Sequence, residues 1–186
     1  AFFALLSAES NDEMMEISQR VSPKLSQTSN NIFLNEKLLA RVKSIYDKKE
    51  QLNLSTEDAK LLEDLYESFK ANGATLNKDD KEKYRKLSMD LSMLTLQFDQ
   101  NALKDKNRFE LLITDENELS GLPESARDAA AMLAKSKDKN GWLFNLSAPS
   151  YIPFMRYSDK RDLREKMYRE YMSVGNKGDE FDNKDI

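Results

Sequence analysis

The sequence predicts a mainly α protein: a multi-helix, bundle-like array with a small two-stranded β element at about residues 109–114 and 142–146. Three observations carry that prediction. Apolar residues recur at three- and four-residue spacing along most of the chain, as in Leu62, Leu65, Tyr66 and Phe69, which places them on one face of a helix. Only 5 Gly and 4 Pro occur in 186 residues, so few positions break a helix. Two short segments alternate with period two: Phe109, Leu111 and Ile113 share one face of a strand, and Trp142, Phe144 and Leu146 share one face of another. A lone strand leaves its ladder groups unpaired, so the two are expected to pair with each other, in a direction the pattern leaves open.

Each element has its own signal. Ser10-Asn11-Asp12-Glu13 has the form of a capping box, with Ser10 as the cap. The helix it opens carries Met14, Ile17, Val21 and Leu25 at helical spacing, and Pro23 predicts a kink or a split near Val21. Leu34, Leu38, Val42 and Ile45 predict another helix from Ile32 to about Leu52. Ser55, with Glu57 and Asp58 behind it, caps the next one, and Asn72-Gly73 closes it in the left-handed conformation. Asn77 caps the longest helix, expected from Lys78 to Leu103. On it Tyr84, Leu87, Leu91, Leu94 and Phe98 form the narrow seam of a helix packed nearly antiparallel against neighbours.

Leu119 to Pro123 read as a turn, with Pro123 as the first residue of an Ala-rich helix to about Lys135. Alanines 126, 129, 130 and 131 allow close approach of another backbone. The segment Gly141–Tyr171 holds the only Trp, two of the four Pro and four of the seven Tyr. It reads as a strand, a Pro-set helical turn from Ser150 to Tyr157, and a helix capped by Ser158 and Asp159 with Leu163, Met167 and Tyr171 on its buried face. Asp182 or Asn183 resembles a further cap close to the end. Both ends read as cuts through a longer chain, the N-terminal AFFALL as the end of an apolar helix rather than a signal peptide. One domain, 1–186, is expected, with a sub-division near 104–108.

Composition excludes several functions. Twenty-nine basic against thirty-three acidic residues give a net charge of −4 with no long block of either sign, so nucleic acid is not the expected partner. No stretch approaches the ~18 apolar residues of a membrane span. Absent Cys removes disulfides and thiolate zinc sites and fits a reducing compartment; absent His removes the commonest general base and metal ligand together.

The remaining candidates read as structure. No nucleophilic triad is available, and Gly175 and Gly178 follow a helix rather than the strand that a phosphate loop needs. Asp179–Asp185 lacks the Gly and terminal Glu of a calcium loop and reads as a solvated, helix-capping loop. Lys104, Lys106 and Arg108, interspersed with Asp105 and Glu110, read as a solvated face. Met14, Met15, Met89 and Met93 read as core filler, and Tyr151, Tyr157 and Tyr168 as packed residues with satisfied hydroxyls. No position is assigned as catalytic, cofactor-binding or metal-binding.

Several stretches in order resemble the N-terminal half of the thimet oligopeptidase and peptidyl-dipeptidase family of zinc metallopeptidases. They are VSPKLSQTSNNIFLNEKLLARVKSIYD (Val21–Asp47), the KANGATL turn (Lys70–Leu76), LSMLTLQFDQNAL (Leu91–Leu103), ELSGLPES (Glu118–Ser125) and APSYIPFMRYSDKRDLREKMYREY (Ala148–Tyr171). The Val21–Asp47 segment resembles the peptidyl-dipeptidase branch. The resemblance implies a nearly all-helical protein whose two lobes flank a channel for short peptides. Zinc is then held by a His-Glu-x-x-His helix and a distal Glu outside these 186 residues. This segment is then a channel wall with no cofactor of its own. Its partners are the catalytic part of the same polypeptide and short peptide substrates, acted on as a peptidyl-dipeptidase or, alternatively, an oligoendopeptidase. A free-standing helical interaction module is the competing expectation. The expected compartment is the cytoplasm, with the periplasm as the alternative. Apolar faces shaped for other helices predict self-association of the isolated segment.

Overall fold

The computed structural model describes residues 2–186. Its elements fall into two compact units, one extending to Leu96 and the other covering Gln97–Ile186. Among the described residues there are eight α-helices and one two-stranded sheet, as the sequence predicts. None of those helices is long and apolar enough to cross a membrane.

The first unit contains α1 (Phe2–Ala8), α2 (Asp12–Phe33), α3 (Glu36–Tyr46), a 3-10 turn at Lys49–Gln51, α4 (Thr56–Ala71) and the opening turns of α5 (Lys78–Arg108). Asn11, not Ser10, caps α2, its side chain accepting the Met14 N–H at 2.8 Å. Both residues are good caps, and the shift of one place sets the first turn. Pro23 does not divide this helix: the 22-residue element has full turns on both sides, and they carry one missing N–H. The helix expected from Ile32 to Leu52 is shorter. Asn35 interrupts it by accepting the Lys37 and Leu38 N–H groups at 3.0 and 3.2 Å, so α3 starts afresh at Glu36 and stops at Tyr46.

Ser55 caps α4 as expected, accepting the Asp58 N–H at 3.1 Å. At its other end Gly73 lies at φ +82°, and the Ala74 N–H bonds the Phe69 carbonyl at 3.0 Å, the Schellman closure that only a left-handed residue permits. Asn77 caps α5 by accepting the Asp80 N–H at 2.9 Å. α3 and α4 form a packed hairpin in which Tyr46 stacks on Tyr66 at 4.2 Å. Phe33 meets buried Phe69 edge-on at 5.3 Å.

α5 corrects the sequence reading most. Its buried ridge in this unit is polar: Lys81 is buried, and Ser88 accepts a hydrogen bond from buried Asn30 at 2.8 Å. Leu87 and Leu91, expected in a packed seam, are 66% and 63% exposed, and Leu94, Phe98, Met89 and Met93 are exposed as well. The methionines are therefore not core filler here. The helix is oriented by its hydrogen-bonding ridge, and the leucine row remains on the surface.

The second unit contains the end of α5, β1 (Leu111–Ile113), a 3-10 turn at Glu116–Leu119, α6 (Glu124–Ser136), β2 (Trp142–Phe144), α7 (Ala148–Tyr157) and α8 (Arg161–Met172). α5 continues past Leu103 to Arg108, where Arg108 Nε bonds Asp105 Oδ1 at 2.7 Å across one turn. The strands pair as expected, and the direction is antiparallel: Leu111 faces Phe144, Leu112 faces Leu143 and Ile113 faces Trp142. Phe109, Leu111 and Ile113 are buried while Leu112 is exposed, the period-two face read from sequence. Pro123 is the residue before α6 rather than its first, and Ala130 and Ala134 are the small residues buried where α6 packs on β2.

The Pro-set turn is a complete ten-residue helix, α7, with Pro149 in its first turn and Pro153 inside it. Ser158 ends α7 instead of capping α8, although its Oγ accepts the Lys160 N–H at 3.2 Å. Asp159 likewise does not serve the helix N-terminus: its carboxylate accepts the Ser120 hydroxyl at 2.6 Å and its N–H bonds the Ser120 carbonyl at 2.9 Å. A bond across 39 positions thus takes the carboxylate that the local rule assigns to a cap. Phe144 packs edge-on against Phe154 at 4.8 Å, within a core that includes Leu119, Leu122, Leu146 and Met167. Asp182 and Asn183 sit in a turn rather than a helix cap; the Asn183 amide donates to the Phe98 carbonyl at 3.1 Å and accepts from Asn101 at 3.0 Å.

Candidate functional site

With no imidazole and no thiol in the sequence, site chemistry rests on carboxylates, guanidinium and ammonium groups and hydroxyls. Among the described residues no group of three or more His, Cys, Asp or Glu side chains is placed to hold a metal ion. The residues present, without His or Cys, do not fit a zinc centre of ordinary type. Two arrangements in the second unit stand out instead.

The first is a buried charge knot. Asp105 on α5 is fully buried and accepts three hydrogen bonds: from Arg108 Nε at 2.7 Å, from the Gly175 backbone N–H at 2.7 Å and from Lys177 Nζ at 3.0 Å. Lys177 also bonds Glu170 at 2.8 Å, and Arg108 bonds Asp179. Burial alone drives the Asp105 carboxyl upward. The Gly175 N–H, the Lys177 hydrogen bond and the charges of Lys177 and Arg108 outweigh that, so the group sits below the ordinary carboxylate range. Burial likewise pushes the Lys177 ammonium down, and Glu170 and Asp105 together hold it above its ordinary value. The solvated-face reading holds for Lys104 and Arg108, which are exposed, and fails at buried Asp105, which together with Arg108 anchors the loop that follows α8. A single acid within Lys104-Asp105-Lys106-Asn107-Arg108 was the available signal. Glu110, assigned to the same face, pairs with Lys137 at 2.5 Å and with Lys139.

The second is a cleft of about 370 Å³ over the face of α8, lined by Met155 of α7 and by Arg161, Arg164, Glu165, Tyr168 and Arg169. Helical spacing puts these α8 residues in one row. Glu165 accepts Arg169 Nε and Nη2 at 2.9 and 2.7 Å, which holds its carboxyl below the ordinary range. Arg164 donates to the Ser158 carbonyl, and Arg161 reaches Glu165 only at 3.8 Å. Three guanidinium groups thus line the cleft beside one carboxylate, which pairs with Arg169 and, at longer range, Arg161. Tyr168 and Tyr157, read from sequence as packed, are half exposed. Tyr151 instead stacks on Tyr171 at 4.2 Å, and burial raises its hydroxyl above its ordinary range.

Known proteins resemble this chain closely. It is 35% identical over 167 residues, 90% of its length, to oligopeptidase A of Salmonella typhimurium. It is 32% identical over all 186 residues to the dipeptidyl carboxypeptidase of Escherichia coli, and 31% identical over 182 residues to a probable cytosolic oligopeptidase A of Arabidopsis thaliana. The chain spans about a quarter of the length of these relatives, 25%, 27% and 26% respectively. No family model matches it. Similarity sustained along nearly the whole chain to several oligopeptidases defines its class, peptidase sequence. More narrowly, the chain is homologous along its length to a part of proteins of the thimet oligopeptidase family.

Proposed function

We propose that this chain is a non-catalytic, channel-wall section of a zinc-dependent peptidyl-dipeptidase that removes dipeptides from the C-terminus of short peptides. It corresponds to the N-terminal helical part of that enzyme. The observation that carries the reading is its full-length match to dipeptidyl carboxypeptidase at 27% of that protein's length, in a stretch without a single His. A peptidase of this family activates water with zinc held by His and Glu, so the chemistry belongs to the rest of the polypeptide. This section supplies long helices and a braced α6–β2–α7 layer.

The partners in this reading are the catalytic remainder of the same polypeptide and short, unstructured peptides. A cytoplasmic setting belongs to it too: Cys is absent, and one relative is named a cytosolic oligopeptidase, although another is named organellar. The 35% identity to oligopeptidase A favours a second reading, endo-acting cleavage by an enzyme of the same family.

The test has two arms. The isolated chain is assayed for bound zinc by atomic absorption and for hydrolysis of a blocked tetrapeptide; neither zinc nor turnover is expected, and stoichiometric metal refutes the placement of the chemistry. The parent gene is then read past Ile186. A His-Glu-x-x-His motif is expected, and its absence leaves a free-standing helical module.

A further inference from the structure

The cleft on α8 breaks a local rule. The first turns of a helix favour acids, because the backbone N–H groups make that end positive. Here Lys160, Arg161 and Arg164 occupy that end, with Asp162 the only acid in the first turn. Electrostatically unfavourable placement with no evident structural return is the mark of a functional surface. Arg164 has one, its bond to the Ser158 carbonyl. Arg161 has only a loose one: its side chain is 80% exposed and its Nη1 lies 3.8 Å from Glu165 Oε2, whereas Arg169 holds the other oxygen at 2.7 Å.

The charge count sharpens the point. The protein as a whole carries −4, whereas this cleft has three guanidinium groups against Glu165, an excess of two positive charges in a concavity of about 370 Å³. Its floor is not polar throughout. Met155 and the half-exposed ring of Tyr168 give it an apolar stretch beside the cations. A guanidinium fork matches a carboxylate in geometry as well as in charge. An occupant with a carboxylate at one end and an apolar body fits both parts.

We propose that the α8 cleft is a carboxylate-binding subsite for short peptides, with Arg161 as the primary cation, Arg164 beside it, and the peptide body on Met155 and Tyr168. The peptide as ligand rests on the channel-wall reading above; the carboxylate rests on the residues themselves.

Fluorescence polarisation on the whole 186-residue chain tests it. The probe is a labelled, N-blocked tetrapeptide ending in phenylalanine, compared with its C-terminal amide and with an amidated version containing one glutamate. The free acid is expected to bind about fivefold more tightly than the plain amide, the gain that exposed charge pairs supply at most. The glutamate peptide ranks side-chain against terminal carboxylate, and preference for either over the neutral amide supports the proposal. Arg161→Gln, at an exposed position that leaves the fold intact, is expected to abolish the preference, while Arg161→Lys retains part of it. Equal binding of acid and amide, binding of neither, or an unchanged preference in Arg161→Gln overturns the proposal. Those outcomes leave the zinc and gene-sequence arms untouched, so the two readings fail separately.

Discussion

Asp105 and Gly175 are joined across 70 positions of sequence by one hydrogen bond, the Gly175 N–H donating to Asp105 Oδ2 at 2.7 Å. The bond fastens the loop after α8 to the last turns of α5. It is made by a carboxylate with no solvent exposure, so the energetic consequence lies less in the bond itself than in what its loss leaves unpaired.

Asp105→Ala strands the Gly175 N–H and leaves the Lys177 ammonium with Glu170 alone, and the expected destabilisation is about 3 kcal/mol. Urea unfolding followed by circular dichroism measures it. Lys184→Ala, whose ammonium is only 3.9 Å from Asp182 and largely exposed, serves as the control and is expected to cost within about 0.5 kcal/mol.

The same pair sets a pH dependence with a definite sign. The Asp105 carboxyl is held below its unfolded value of 3.8. Its contribution is therefore complete above that pH and lost as pH falls through the depressed folded value. The Lys177 ammonium is held above 10.5, so its contribution is complete below that pH and disappears as pH rises through the higher folded value. The stability gap between the native chain and Asp105→Asn should be constant across neutral pH and shrink below 3.8. A gap that survives unchanged in strong acid contradicts the linkage.

Gly121 stands at φ +84°, and a Cβ there comes within 2.1 Å of the Tyr157 carbonyl oxygen. Gly121→Ala combines left-handed strain with a backbone clash and is expected to cost about 3 kcal/mol. Ser120→Ala removes only the 2.6 Å bond to Asp159, at about 1 kcal/mol. Thermal melts of the two variants give the ranking; the reverse order refutes this account of the turn.

The exposed leucine row on α5 predicts self-association, because contiguous apolar surface of that kind is covered when two molecules meet. Replacing Leu87 and Leu91 with Lys is expected to raise the monomer fraction in sedimentation velocity while changing unfolding by about 0.5 kcal/mol or less. A native chain that sediments as a monomer with no dye-binding apolar surface counts against the expectation.

Where a signal is local, the sequence carried it. Ser55 and Asn77 are caps because their side chains bond N–H groups three residues on, a relation visible in the residue order. The strand pair is visible for the same reason: Phe109, Leu111 and Ile113 alternate within one short window. Long-range relations were not legible. Ser158 and Asp159 look like a cap until the bond to Ser120 is known. Asp105 looks solvated until Gly175 and Lys177 arrive from 70 and 72 positions away. The seam on α5 had the right period but no neighbour to name, and a polar ridge took the inner face. The α8 cleft went unread because its arginines, taken one at a time, look like an ordinary charged helix surface.

Trp142 is the only tryptophan and lies opposite Ile113 at the end of the small sheet. Its emission therefore follows the unit Gln97–Ile186 alone, whereas the far-ultraviolet helix signal is summed over both units. Recording the two signals in one denaturant series separates the loss of the sheet from the loss of the helices ahead of it, with no label added to the molecule.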